Sequence, residues 1–96
     1  MTEQASQRIR DLHTALRTGQ NVYGVFIGSP APIVLDTINA TGWDFAILEG
    51  QHSAQSTGDL VSALTPLAHS GLPAFVRVDG HDPYAIAKVL DAGAAR

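Results

Sequence analysis

Residues 43–52 read Trp-Asp-Phe-Ala-Ile-Leu-Glu-Gly-Gln-His, a short apolar run that ends in a carboxylate and an imidazole three residues apart. A run of this length bounded by glycine is typical of a buried strand in a parallel sheet. In parallel α/β folds the ligand site lies beyond the carboxyl ends of such strands. The segment therefore predicts that Glu49 and His52 lie at a ligand site.

Strand and helix patterns alternate on both sides of this run. Apolar residues at helical spacing, followed by a glycine, predict a first helix over about residues 4–18. Apolar stretches predict strands at 22–27, 45–48 and 74–78, and amphipathic stretches predict a helix after each strand, ending near residues 40, 71 and 93. The expected order is one helix followed by three strand-helix units.

Capping residues mark where the three later helices begin. The predicted caps are Ser29 with Pro30 in the first helical position, then Ser56 or Thr57, and finally Asp82 before Pro83. Pro66 lies within the third of the four helices, where the missing N–H should kink the helix or begin a new segment.

This alternation predicts a parallel α/β fold with right-handed crossovers. Three parallel strands leave two sheet edges open, whereas a closed barrel of eight strands has none and typically needs about 250 residues. We therefore expect a (β/α)8 TIM-barrel type, of which residues 1–96 form a single domain, the amino-terminal part.

Composition narrows the classes of partner. The net charge of −3 and the scattered arginines and lysines provide no basic surface for nucleic acid. There is no cysteine, residues 1–8 are polar, and no apolar run approaches the length of a membrane span. We expect a cytoplasmic protein that binds neither nucleic acid nor membrane.

Alternation along the strands places Phe26, Glu49 and Arg77 on the same face of the predicted sheet, near the strand ends. Two interpretations of Arg77 stay open. It could pair with Glu49 or Asp79 and hold the sheet together, or its planar guanidinium could bind a substrate carboxylate or a developing enolate oxygen.

His52 and Gln51 also allow two interpretations each. His52 could be an exposed loop residue, or it could accept a proton near neutral pH with Glu49 fixing its tautomer and raising its basicity. Gln51 could form a hydrogen bond at the site or be an ordinary polar loop residue.

The chain resembles a known enzyme family from Gly24 to Gly93. The resemblance rests on Gly-Val-Phe-Ile-Gly at 24–28, on the segment 42–52, on Val-Arg at 76–77 and on Val-Leu-Asp-Ala-Gly-Ala at 89–94. It is similar there to the amino-terminal third of the HpcH/HpaI aldolase/citrate lyase family, the metal-dependent class II pyruvate aldolases. In that family the second segment typically ends in Asp-Gly-Glu-His.

The resemblance implies a role for each candidate residue. His52 would be the catalytic acid/base, Glu49 would replace the usual aspartate partner, and Arg77 would bind pyruvate and stabilise its enolate. Phe26, at a position that is often tryptophan, and Gln51, which replaces a common glutamate, would line the substrate site. These two departures at Glu49 and Gln51 would change geometry and charge beside the histidine.

The implied activity is an aldehyde-lyase reaction, the reversible aldol cleavage of a 4-hydroxy-2-oxo acid to pyruvate and an aldehyde. The family's divalent metal (Mg, Mn or Co) is held by carboxylates on later strands, so its ligands are expected beyond Arg96 and none within this chain. The full-length enzyme is expected to be a homo-oligomer. The alternative is a non-catalytic truncated fragment, or a half-barrel that assembles with copies of itself or with another chain.

Overall fold

The computed structural model describes residues 3–96, apart from the side chain of Gln4. Its elements follow one another as α1 Glu3–Arg17, β1 Gly24–Ile27, α2 Pro32–Ala40, β2 Phe45–Glu49, α3 Thr57–Ser70, β3 Ala74–Arg77 and α4 Pro83–Asp91. The predicted order of one helix and three strand-helix units is confirmed. Met1 and Thr2, the start of the polar amino terminus, lie outside the described residues.

The three strands form one parallel sheet in the order β1-β2-β3. Phe26 of β1 is in register with Ile47 of β2, and Glu49, the last residue of β2, is in register with Arg77, the last residue of β3. The parallel α/β prediction is therefore confirmed. Because the strands are parallel, their carboxyl ends lie at one end of the sheet.

One face of the sheet is covered by helices α2, α3 and α4. The strand side chains that point to this face pack with buried residues of the helices to form the core, which comprises Ile27, Leu35, Ala46, Leu48, Leu60, Ala63, Leu64, Leu67, Leu72, Ala74, Val89 and Ala94. None of the four described helices has both the length and the apolar composition required to cross a lipid bilayer.

The opposite face carries the other half of the strand side chains and is only partly covered. Phe45 and Phe75 pack edge to face there, with ring centroids 6.0 Å apart and ring planes at 85°. Phe26 on the same face is 58% exposed. This face therefore presents aromatic side chains along the sheet, from Phe45 at the start of β2 to Phe26 near the end of β1.

Helices α3 and α4 begin where their capping residues predict. Ser56 caps α3 through a reciprocal box, in which its hydroxyl accepts from the Asp59 N–H and the Asp59 carboxylate accepts from the Ser56 N–H. Asp82 caps α4 by accepting the N–H of Tyr84. Helix α3 continues through Pro66, which lies on its exposed side, so no new segment begins there.

The predicted start of α2 was wrong. The helix begins at Pro32 with Ala31 as its cap residue, whereas Ser29 accepts the N–H of Ala31 in the turn before the helix. The reason is the second proline: a residue that precedes proline avoids helical backbone angles, so Ala31 cannot extend a helix begun at Pro30. Ala31 is extended, with φ −60° and ψ 129°.

Candidate functional site

The site is centred on an ion pair between the last residues of β2 and β3. Arg77 Nε donates to Glu49 Oε1 at 3.1 Å, and Arg77 Nη2 donates to Glu49 Oε2. The pair follows directly from the strand register, which sets the two residues side by side on one face. Glu49 is buried, with its side chain 10% exposed, whereas the Arg77 side chain is 44% exposed. The guanidinium is thus fixed at its buried side and open to solvent at the other.

Glu49 also organises the loop that carries His52. Its Oε1 accepts the backbone N–H of Gln51 at 2.6 Å and of His52 at 3.1 Å, and its carbonyl oxygen accepts the Ser53 hydroxyl. The carboxylate therefore contacts the His52 backbone. The His52 ring is exposed and makes no hydrogen bond within residues 3–96, so the expected contact between this ring and Glu49 is not formed there.

Phe26 and Gln51 take different positions around this pair. The Arg77 Cζ atom lies 5.1 Å from the centre of the Phe26 ring, a distance at which the cation and the ring attract each other. Gln51 is exposed, and in the described part of the chain only its backbone N–H is bonded at the site. The structure thus brings Phe26, Glu49 and Arg77 into contact and leaves the Gln51 side chain in solvent.

The arrangement can bind an anion and move a proton. Arg77 uses Nε and Nη2 for Glu49, and its Nη1 has no hydrogen-bond partner among residues 3–96. A guanidinium held in this way presents fixed donors to a carboxylate or an enolate oxygen. His52, on the loop that follows β2 at the same end of the sheet, offers an exposed imidazole that forms no hydrogen bond among residues 3–96, and imidazole is the side chain that most often serves as a general acid or base.

Gln55 is a site residue that the sequence did not predict. It is 8% exposed, and its Nε2 donates to the carbonyl oxygens of Ile27 at 3.1 Å and of Glu49 at 2.9 Å. Glutamine is usually exposed, so nothing in the sequence marks this one as buried. Its two hydrogen bonds reach strand ends that lie 28 and 6 residues before it in the sequence.

Gly50 leaves room for the close approach of the chain after β2 to the last residue of β3. Its N–H donates to the Arg77 carbonyl oxygen at 2.8 Å. A Cβ atom at this position would lie 2.8 Å from the same oxygen and 2.9 Å from Leu60 Cδ1. Only glycine therefore fits without a shift of the strands.

We expect Gly50→Ala to lower the free energy of unfolding by about 1–3 kcal/mol, because the added methyl group forces backbone atoms apart. Chemical denaturation of the purified protein measures the change. Gly28→Ala is the matched control, since a Cβ there meets nothing within 4 Å. Equal stability of the two variants would contradict the packing argument.

The residues of this site do not form a metal centre. Within residues 3–96 no three His, Asp or Glu side chains come together in a group that could hold a metal ion. Glu49 Oε1 already accepts from Arg77 Nε and from the backbone N–H groups of Gln51 and His52, and Oε2 accepts from Arg77 Nη2. The divalent metal expected from the family resemblance therefore does not fit the residues present here.

Comparison with known proteins gives one consistent group of relatives. Over 90% of its length the chain is 31% identical to a 4-hydroxy-2-oxovalerate aldolase of Novosphingobium aromaticivorans. Its fold matches an HpcH/HpaI aldolase/citrate lyase family protein from Burkholderia cenocepacia over 88% of the chain, with a TM-score of 0.74 and 26% identity. It also matches the citrate synthase SbnG over 86% of the chain, with a TM-score of 0.74 and 32% identity.

These matches cover most of this chain but a minor part of each relative. The chain spans about one third of the length of the aldolase, 33%, and 34% of each of the two solved structures. No protein-family model matches the sequence. The similarity therefore concerns the region of these proteins that contains the helix and the three strand-helix units.

Proposed function

We propose that the chain belongs to the HpcH/HpaI aldolase/citrate lyase family, to whose members it is similar over about one third of their length, and that it is part of a carbon-carbon lyase. The reaction is the reversible aldol cleavage of a 4-hydroxy-2-oxo acid to pyruvate and an aldehyde. The observation that carries the proposal is the Glu49–Arg77 pair at the carboxyl ends of the strands, whose carboxylate also binds the backbone N–H of the exposed His52, in a chain that is similar to an aldolase.

The cleavage needs a proton acceptor at the substrate's 4-hydroxyl group. We assign this role to His52, whose ring is unbonded within residues 3–96 and exposed. As the hydroxyl loses its proton, the bond between C3 and C4 breaks, the aldehyde leaves, and the electron pair forms the enolate of pyruvate. Return of a proton to C3 completes pyruvate, and the reverse sequence gives aldol addition.

The enolate and the carboxylate of pyruvate need fixed positive charge. We assign this to Arg77, which Glu49 holds on one side and whose Nη1 remains available in the described structure. Phe26 lies against the guanidinium and forms the apolar wall of the substrate site. Gln51 borders the site through its exposed side chain.

The metal has to be held elsewhere in the enzyme. Because the residues present here do not fit a divalent ion, we propose that the ligands of Mg, Mn or Co lie in a part of the enzyme outside these 96 residues. The remaining strands of a barrel are also what would cover the open aromatic face of the sheet.

The test begins with the intact mass of the polypeptide as its native source produces it. The same preparation is then assayed for pyruvate release from 4-hydroxy-2-oxo acids, with Mg, Mn or Co added and with a chelator as control. We expect the mass of a full barrel and release of pyruvate that depends on the metal.

Two results would contradict this proposal. A full-length barrel that releases no pyruvate with any of the three metals would exclude the aldolase reaction. A mass of about 10.1 kDa without activity would favour the non-catalytic module. Light scattering would then distinguish a monomer from an assembly of half-barrels.

A further inference from the structure

The loop between β2 and α3 is bonded to the strand ends by the side chain of Gln55, which has no part in the proposed chemical steps. Gln55 Nε2 donates both of its protons, to the carbonyl oxygens of Ile27 and Glu49. These carbonyls belong to the last residues of β1 and β2. The amide thus joins two neighbouring strands at the end of their backbone pairing, whose last pair is Ile27 with Leu48.

The orientation of this amide is set by its partners. If the amide were flipped, its oxygen would face the two carbonyl oxygens, and no hydrogen bond could form because an amide oxygen cannot donate. In the observed orientation both donors are satisfied, although Oε1 is buried and has no hydrogen-bond partner among the described residues. The observed orientation is therefore favoured, because it forms two hydrogen bonds although it leaves one acceptor unpaired. Nε2 is the atom that ties the loop to the strands.

His52 lies between two fixed points of this loop. On one side its own N–H is bonded to Glu49 Oε1. On the other side Gln55 is anchored, and helix α3 begins two residues later at Thr57 with Ser56 as its cap. The backbone of residues 50–56 therefore cannot move away from the strand ends without breaking the Gln55 bonds.

We propose that Gln55 is a positioning residue, which holds the His52 backbone at a fixed place relative to the Glu49–Arg77 pair through its two amide protons. The consequence for catalysis rests on the proposed function, in which His52 transfers the proton. The effect of Gln55 on the order of the loop does not depend on that function.

The first measurement needs no variant. In the whole wild-type protein, NMR should show the side-chain NH2 protons of Gln55 exchanging at least about tenfold more slowly than those of the exposed Gln20, because they are buried and bonded. Equal exchange rates for the two side chains would overturn the proposal.

The second measurement is Gln55→Met, which fills the same space without donors. We expect the backbone amides of Gln51 and His52 to exchange about tenfold faster, while those of the core residues Leu64 and Leu67 change by less than about twofold. Gln20→Met is the matched control and should change neither group. Unchanged loop exchange would show that Gln55 acts only by filling space, and uniform acceleration would show that it acts only on global stability.

Activity gives an independent measure of positioning. In the whole enzyme Gln55→Met should lower kcat for pyruvate release by about tenfold with KM changed by less than about twofold, because Arg77 still binds the substrate while His52 is misplaced. A rise in KM with unchanged kcat would contradict positioning of His52. If the wild-type enzyme cleaves no 2-oxo acid, the proposed function fails, and hydrogen exchange alone still decides the role of Gln55.

Discussion

Replacing His52 by alanine is expected to lower turnover of the whole enzyme by roughly 10²- to 10⁴-fold, the range usual for loss of a general acid/base. The same change should leave the free energy of unfolding nearly constant, because the ring is exposed and makes no hydrogen bond within residues 3–96. Steady-state pyruvate release and thermal unfolding of the same preparation measure the two quantities.

A second histidine provides the control for this experiment. His69 is exposed in the last turn of α3, at the other end of this helix from the loop that carries His52, and its Nδ1 lies 2.8 Å from the Thr65 carbonyl oxygen. His69→Ala should keep wild-type turnover. Wild-type turnover in His52→Ala would remove His52 from the mechanism, and equal losses in both variants would point to a general loss of folded protein.

Local signals in the sequence were sufficient for most of the architecture. The apolar run at 45–48 predicted a buried strand, and β2 occupies Phe45–Glu49 because its side chains alternate between the helix-covered core and the partly covered face. Ser56 and Asp82 predicted helix starts correctly because a cap bonds to backbone N–H groups only two or three residues away. Such interactions depend on neighbouring residues alone.

Predictions failed or stayed open where the structure depends on interactions between residues distant in the sequence, or on a choice between two competing local signals. Two prolines could each begin α2, and the restriction on the residue between them selected Pro32 over Pro30. The pairing of Glu49 with Arg77 was one of several alternatives, because strand register is a tertiary property that spacing does not give. Burial of Gln55 was not foreseen at all, since it depends on carbonyl groups exposed only when two strands end side by side.

The Glu49–Arg77 pair unites the two interpretations that the sequence left open for Arg77. Glu49 accepts from Nε and Nη2, which corresponds to the structural interpretation. Nη1 has no hydrogen-bond partner among residues 3–96 and is the donor that the proposed function assigns to the substrate. The Arg77 side chain is 44% exposed, so solvent screens its attraction to Glu49 and limits what the pair contributes to stability. Glu49 itself is buried, so loss of its partner would leave an uncompensated charge, whereas a lysine at position 77 keeps a positive charge.

Arg77→Lys is accordingly expected to lower kcat/KM by roughly 10²- to 10³-fold, similar to the loss of one oxyanion donor, although the positive charge is retained. A lysine ammonium is a point charge on a flexible chain, so it cannot hold both Glu49 oxygens and also present a fixed donor to the substrate. The change should lower the free energy of unfolding by at most about 1 kcal/mol. Pyruvate-release kinetics and chemical denaturation separate the two effects.

Arg17→Lys, at the exposed end of α1, makes the same substitution outside the site and should leave both quantities unchanged. Loss of stability without loss of kcat/KM in Arg77→Lys would assign Arg77 to the fold alone.

Glu49→Gln tests the orientation of Arg77 separately. The amide of the glutamine still offers an oxygen to the Gln51 and His52 N–H groups, but it no longer carries the charge that orients the guanidinium. If orientation of Arg77 is what catalysis requires, Glu49→Gln should lower kcat/KM in the same direction, and the loss in the double variant should be smaller than the product of the two single losses.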